Sequence, residues 1–585
     1  MRSFLKIFFA SLLAMIVFTF LGVIFMFSLI GKAFTTKATV ISPNGVLVVD
    51  LSDNFREQAN LRPFASFTNE APEEPGLYDV VSMIRYAAQD GNIKGIYLKT
   101  SSSANGFAST EEIRNALIDF KKSKKFIYAY AETMSQQGYY VASVADKVFL
   151  NPQGGVEFNG FNMTVFYLKN ALQKLEVEPQ IFYDGKFKSA TEPLRETKMT
   201  DANRVQTTAF LNELYGHYLK GIAEARKLDS ATLHSYAQNG AINFPQDAVT
   251  YKLVDGLQYN DQVMDLIKKS IGLGGNEDVN FISLGKYHAA DVLPYNYKDA
   301  GVALVFASGD IKGGTDEENV SIASEDYIKI IRDVRNDDNI KAVVFRVNSG
   351  GGSALASEVI WREIELTKKK KPVVVSMGDY AASGGYYIAC NADAIFAEPN
   401  TLTGSIGVFA VLPNMQGFFN NKLGVTFDGV KTAQYADMGS VTRPLTENEK
   451  RLMQSSVDSI YSTFKSRVVA GRKLAGAVVD SIAQGRVWSG TEAKRIGLVD
   501  QLGGIEDALK HAAKLANLPG YRVEQYPELK NPLSKYMKTL GNAQLSESII
   551  AKELGTNYAI YKQLKSLQAM KGEVQARLPY DFTIQ

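Results

Sequence analysis

Three short stretches of the chain hold residues whose types and spacing suit acyl transfer. The first is Gly378-Asp379-Tyr380-Ala381-Ala382-Ser383-Gly384-Gly385, where one hydroxyl sits among small neighbours that leave room for a substrate backbone. Ser383 follows the apolar run Val373-Val374-Val375 and precedes a helix-like segment, so it falls at a strand-to-helix turn. A helix that begins there points free N–H groups and a partial positive charge at the turn. The Gly384 N–H then suits an oxyanion formed beside Ser383. The second stretch, Asn348-Ser349-Gly350-Gly351-Gly352-Ser353, ends another apolar strand and offers a further backbone donor. Taken alone, small residues before a helix more often pack or cap than react, and a glycine triplet equally makes a tight turn.

A serine nucleophile needs a base. The four histidines, His217, His234, His288 and His511, lie in no recognisable catalytic motif. The single cysteine, Cys390, ends the apolar run Tyr386-Tyr387-Ile388-Ala389 and reads as a small buried hydrophobe. Lysine is the next candidate, and the third stretch, Asp184-Gly185-Lys186-Phe187-Lys188-Ser189-Ala190-Thr191-Glu192-Pro193, supplies two. The ordinary alternative for both is a solvated surface position. A lone cysteine makes no internal disulfide and no structural zinc site; no metal and no cofactor are expected.

These stretches belong to a chain that repeats itself. A shift of 247 residues lays residues 79–146 on residues 326–393 without a gap, matching Asn92-Ile93-Lys94 to Asn339-Ile340-Lys341 and Gly138-Tyr139-Tyr140 to Gly385-Tyr386-Tyr387. Each copy runs strand, helix, strand, small-residue loop, helix, strand. The strands are Val46-Leu47-Val48-Val49, Gly95-Ile96-Tyr97-Leu98 and Phe126-Ile127-Tyr128-Ala129 in one copy. In the other they are Val302-Ala303-Leu304-Val305, Ala342-Val343-Val344-Phe345 and Val373-Val374-Val375. Short apolar runs alternating with helices imply α/β units around mostly parallel sheets. The copies differ where the chemistry lies. Gln136 stands where Ser383 stands, and the second copy has no Lys-x-Lys near the place of Lys186 and Lys188. Each copy therefore keeps one candidate feature and lacks the other.

Residues 7–31 carry no charge and are long enough to span a bilayer with some tilt. With Lys32-Ala33-Phe34 following, they read as an uncleaved anchor rather than a signal peptide. Arg2, Lys6 and the terminal amine mildly favour a cytoplasmic N-terminus, which puts the rest of the chain outside the cytoplasm. Lys+Arg 64 against Asp+Glu 62 is close to balance and points away from nucleic acid. The expected organisation is an anchor over 1–34, a first repeat over 35–272, a connection over 273–300, a second repeat over 301–515 and a helical tail over 516–585.

Beyond residues 378–387, four further motifs bear on kinship: Arg346-Val347-Asn348-Ser349-Gly350-Gly351-Gly352-Ser353, Gly404-Ser405-Ile406-Gly407-Val408, Gly485-Arg486-Val487-Trp488-Ser489-Gly490, and the Lys186 to Pro193 stretch of the first half. Together they resemble the long, duplicated form of the bacterial signal peptide peptidase A family, from the anchor to about residue 515. The resemblance implies a tandem duplication of a ClpP/crotonase-like α/β domain, preceded by one N-terminal transmembrane helix. It implies Ser383 as nucleophile, Lys188 as general base, and the backbone of Gly384 and Gly351 as oxyanion donors. The family usually has proline where this chain has Gly350, which loosens the loop that would supply the second donor. Also implied are remnant signal peptides as substrates, a ring-shaped homotetramer, and a bacterial inner-membrane location with the catalytic domains on the periplasmic side.

For such a dyad Lys188 must be neutral, so burial must lower it several units from about 10.4. Two competing readings remain. A crotonase-type acyl-CoA enzyme would share the fold and the oxyanion hole but would use a carboxylate base. A non-catalytic membrane scaffold would use the duplicated domain only to assemble.

Overall fold

The computed structural model describes residues 8, 10–22, 40–61, 73–274, 277–293, 300–316, 320–529 and 573–578. Of the expected membrane anchor, residues 8 and 10–22 are helical, and the remainder lies outside the described residues. Among the described residues no helix is long and apolar enough to cross a membrane.

Two sheets repeat one plan. The first places Gly256–Leu257, Lys147–Val156, Phe126–Met134, Ile93–Lys99, Gly45–Asp50 and Asn280–Ser283 side by side, all parallel. The second places Val487–Ser489, Leu402–Gly404, Val373–Ala382, Ile340–Ser349, Gly301–Ser308 and Arg522–Tyr526 in order, parallel except where Val487–Ser489 meets Leu402–Gly404. Helices cover these sheets, so the inner strands are buried on both faces and need continuous apolar sequence. Gly301–Ser308 is buried over its first seven residues, and Ala342 to Val347 are all buried.

The matched edges correct two expectations. The stretch 273–300 is more than a connection: Asn280–Ser283 adds a parallel strand beside Gly45–Asp50, and the helix Leu284–Ala289 packs Leu284 and Tyr287 into the first core. Of the tail expected to be helical, residues 516–529 and 573–578 are described and hold the strands Arg522–Tyr526 and Gln575–Arg577, and the rest lies outside the described residues. Arg522–Tyr526 does for Gly301–Ser308 what Asn280–Ser283 does for the first copy. Each copy closes by covering an open edge of its sheet, an edge that would otherwise offer unpaired N–H and C=O groups.

A third sheet joins the copies. Its order is Ile322–Ala323, Ile311–Lys312, Gly351–Ser353, Gln575–Arg577, Val408–Asn414, Glu178–Asp184. Glu178–Asp184 comes from the first copy and pairs antiparallel with Val408–Asn414 of the second, Asp184 opposite Val408. Its alternation buries Gln180 and Phe182, and Phe182 enters the core of the second copy.

Two polar contacts lock the copies together near the strand that presents Ser383. Arg346, fully buried, donates from Nε to Glu57 at 2.8 Å and pairs through Nη2 with Glu112 at 2.7 Å, both in the first copy. The Asp379 carboxylate accepts from Ala108 N at 2.8 Å, Ser109 N at 3.0 Å and Ser109 Oγ at 2.7 Å. It thereby caps the helix Phe107–Lys121, whose N-cap residue Gly106 has no side chain to do so. Asp379 is four residues ahead of Ser383, so this cap ties the first copy to the strand that carries the serine.

Candidate active site

Ser383 lies between the strand Val373–Ala382 and the helix Gly384–Ala389, with φ 55° and ψ −115°. That conformation costs about 1–3 kcal/mol for a residue with a side chain. It persists because both of its backbone polar groups are fixed: Ser383 N donates to Gly404 O at 2.8 Å, and Tyr387 N donates to Ser383 O at 2.8 Å. The turn aims the hydroxyl at Lys188 of the other copy.

Lys188 reaches it from beside the third sheet. The strand Glu178–Asp184 ends beside Val408, and Gly185, at φ 113°, turns the chain back. Phe187 N then donates to Gln484 O at 2.7 Å, and Gly485 N donates to Ile406 O at 2.7 Å. A Cβ on Gly485 would lie 2.7 Å from both Lys188 N and Lys188 Cβ, so only glycine lets the two backbones approach this closely. The Lys188 Nζ ends 2.8 Å from Ser383 Oγ, 3.0 Å from Ser405 Oγ and 3.2 Å from Ser405 O.

Burial governs the charge of this amine. Lys188 is 1% exposed, and among the described ion pairs it takes part in none. Burial without a compensating carboxylate pushes it well below the ordinary lysine value. A neutral amine has two N–H donors and one lone pair. With both N–H groups donated to Ser405, a neutral amine would keep its lone pair toward the Ser383 hydroxyl, which also lies 3.4 Å from Gly407 O.

The comparisons follow this duplication. The sequence matches Peptidase family S49 over residues 119–274 and 365–519, once in each copy and together over just more than half of the chain. This chain belongs to peptidase family S49. "Protease 4" of Salmonella typhi is 36% identical over 531 residues, covering 88% of this chain and 84% of that one. "Serine protease SPPA, chloroplastic" of Arabidopsis thaliana is 31% identical, covering 84% of this chain and 72% of that one. Among solved structures, a mutant ClpP1 from Listeria monocytogenes aligns over 35% of this chain and 94% of its own, at 18% identity and a TM-score of 0.24, too low a score to define the fold by. As an S49 member of the signal peptide peptidase A type, the chain is a serine peptidase.

Within this S49 chain the two lysines of the third stretch part company. Lys186 is exposed, its Nζ 5.7 Å from the centre of the Phe187 ring, while Lys188 is the one carried inward. Cys390 is buried, and burial pushes its thiol up to about 12, so it stays protonated at neutral pH.

The oxyanion expectation needs one correction. Gly384 N opens the helix beside Ser383 as expected, but the Gly351 N–H donates to Ser349 Oγ at 3.1 Å. The Ser349 hydroxyl itself donates to Gly309 O at 2.6 Å, which fixes it as the acceptor for Gly351. The next residue, Gly352, lies opposite Ile311 on one side of this strand and opposite Ala576 on the other. Sequence reasoning also passed over Ser405. Its only signal was a serine between glycines in Gly404-Ser405-Ile406-Gly407, and its φ of 49° is a position that few non-glycine residues adopt.

Proposed function

We propose that this S49 peptidase is a membrane-tethered endopeptidase that degrades remnant signal peptides with a Ser383–Lys188 dyad. The observation that carries the dyad is the 2.8 Å contact between a fully buried, carboxylate-free lysine amine and a strained serine hydroxyl. Neutral Lys188 takes the Ser383 proton as Oγ attacks the scissile carbonyl. The Gly384 N–H and a donor from Gly351–Ser353 hold the oxyanion. Lys188 passes its proton to the leaving amine, and the acyl-enzyme is then hydrolysed by water with Lys188 again as base.

The third sheet suits a substrate with extended backbone, because Gly351–Ser353 and Val408–Asn414 flank a strand-wide slot beside Ser383. Phe210, Leu214, Ala382, Leu402 and Val487 form an apolar floor there, which favours hydrophobic peptides. The uncharged stretch 7–31 would tether this slot at the bacterial inner membrane, on the periplasmic side, where cleaved signal peptides remain.

The chain would work as a homotetramer. Residues 425–431, which align with the paired strand Glu178–Asp184 at the repeat shift, form no strand of their own. Val425, Phe427 and Val430 are 44%, 54% and 102% exposed, leaving apolar surface for a neighbouring copy. A crotonase-type reading is disfavoured by a buried amine where such an enzyme would place a carboxylate.

The test is hydrolysis of a fluorogenic hydrophobic peptide by detergent-solubilised protein. Wild type should turn over, while folded Ser383→Ala and Lys188→Ala should not. Full activity in Ser383→Ala would remove the nucleophile from the account.

A further inference from the structure

The turn that carries Lys188 is held from behind by one buried amide. Gln206 lies on the helix Asp201–Arg226 and is 1% exposed. Its Nε2 is 2.9 Å from Phe187 O and 3.1 Å from Ser189 Oγ, so it bonds the residues on either side of Lys188. Its Oε1 accepts from Val487 N at 3.2 Å. Val487 pairs with Gly404, and Gly404 O is the acceptor for Ser383 N. One carboxamide thus ties the lysine turn of the first copy to the strand that backs the serine turn of the second.

The sense of this amide is fixed. A carbonyl oxygen only accepts and a backbone N–H only donates, so Phe187 O must face the Nε2 end and Val487 N the Oε1 end. A buried chain behind it agrees. Gln206 Nε2 is also 3.1 Å from Asn203 Oδ1, and Asn203 Nδ2 donates to the Glu192 carboxylate at 2.8 Å. Glu192 accepts in turn from Thr200 N and Thr200 Oγ1. Buried side-chain networks of this kind rigidify what they join.

The other copy shows what the amide serves. Its matching helix, Glu447–Arg472, also has 26 residues and also starts from a threonine N-cap, Thr446 in place of Thr200. Glu449 there closes a capping box on Thr446, whereas Asn203 is turned to Glu192 and Gln206. At the place of Gln206, the sixth residue of the helix, stands Leu452, which is 48% exposed. The buried amide occurs in the copy that carries the base.

We propose that Gln206 is a positioning residue for the peptidase reaction: it acts through Lys188, holding the amine dry and within reach of Ser383 Oγ. This role rests on the dyad reading, and its test keeps the two apart. Burial is the sole cause that lowers the Lys188 amine. The charged residues of its own segment, Asp184, Lys186 and Glu192, and of the elements packed against it, Asp379, Arg204 and Arg486, do not move it. Its proton affinity therefore depends on how tightly the turn is closed, and a loosened turn that admits water raises it.

The test is the pH dependence of kcat and KM for a fluorogenic hydrophobic peptide, with full-length wild type, Gln206→Met, Gln206→Glu and Lys188→Ala, each alongside its denaturant midpoint. Gln206→Met, close to glutamine in size, removes both ends of the amide. Its ascending limb should move up by about one pH unit, a loss of about tenfold in kcat on the limb. On the plateau above the limb the rate should return to within about threefold of wild type, with KM within about twofold throughout. Gln206→Glu keeps an oxygen for Val487 N and serves if Gln206→Met does not fold. A carboxylate there favours the charged amine, so its limb should lie at least as high. A packing role alone would lower the denaturant midpoint and leave the limb in place. An unmoved limb in a folded variant, or a loss carried by KM, overturns the role of Gln206 and, with Lys188→Ala inactive, leaves the dyad standing. Full activity in Lys188→Ala overturns both.

Discussion

Replacing Lys188 by methionine should abolish turnover and, at neutral pH, make the protein more stable. The amine is 1% exposed with no carboxylate partner, and burial holds it well below its ordinary value of 10.5. Keeping a lysine neutral costs about 1.36 kcal/mol for each pH unit below its free value. For an amine that titrates at 10.5 in the unfolded chain, that is about 5 kcal/mol at pH 7. Methionine removes this cost but leaves the Ser383 and Ser405 hydroxyls without Nζ, a loss of about 1 kcal/mol each. The net gain is about 2–3 kcal/mol at pH 7. The sign with pH follows from proton binding. Between the folded and unfolded values of Lys188 the unfolded chain holds a proton that the folded chain lacks, so wild-type stability rises with pH. The stability difference should therefore move by about 4 kcal/mol in favour of wild type from about pH 7 to about pH 10, enough to reverse its sign. Denaturant midpoints of both proteins at the two pH values measure it. A gap that does not change with pH, or a variant less stable than wild type at neutral pH, would refute a neutral buried lysine.

Other outcomes follow from neighbouring contacts. Ser405→Ala leaves one buried N–H of neutral Lys188 unmet, at about 1–3 kcal/mol, so steady-state kinetics should show kcat down by about ten- to a hundredfold with KM little changed. Ser405→Gly, which relieves the φ of 49° but still lacks the hydroxyl, should do no better. Asp379→Ala uncaps the helix Phe107–Lys121 of the other copy and should lower stability by about 1–2 kcal/mol, read by thermal unfolding. Arg346→Met strands two buried carboxylates and should cost about 3–5 kcal/mol, while the triple change Arg346→Met, Glu57→Gln, Glu112→Gln should recover most of it.

Much of this was legible before any coordinates. The repeat shows in the sequence because both copies must bury the same parallel strands on two faces, which demands apolar runs such as Val302-Ala303-Leu304-Val305 at matched positions. Ser383 and Lys188 stood out because the copies lost opposite features. What stayed hidden depended on contacts between distant segments. The bond made by the Gly351 N–H turns on the Ser349 hydroxyl, and what lies opposite Gly352 turns on the register of residues 575–577, more than 200 residues away. Ser405 is invisible without knowing that Lys188 arrives beside it. The strands Asn280–Ser283 and Arg522–Tyr526 are short, and only the sheet edges they cover give them a reason to extend. Lys188 over Lys186 came from kinship, and the geometry adds the reason: Gly485 admits the backbone at Lys188.

The central claim is that a neutral Lys188 activates Ser383. Its most direct test is the rate at which a serine-directed acylating probe modifies wild type and Lys188→Ala from about pH 5 to about pH 9, with the modified residue located by peptide mass spectrometry. The account predicts modification at Ser383, at a rate that climbs with pH as Lys188 loses its proton and falls to background in Lys188→Ala. Equal rates in the two proteins, or modification at a different serine, would contradict it.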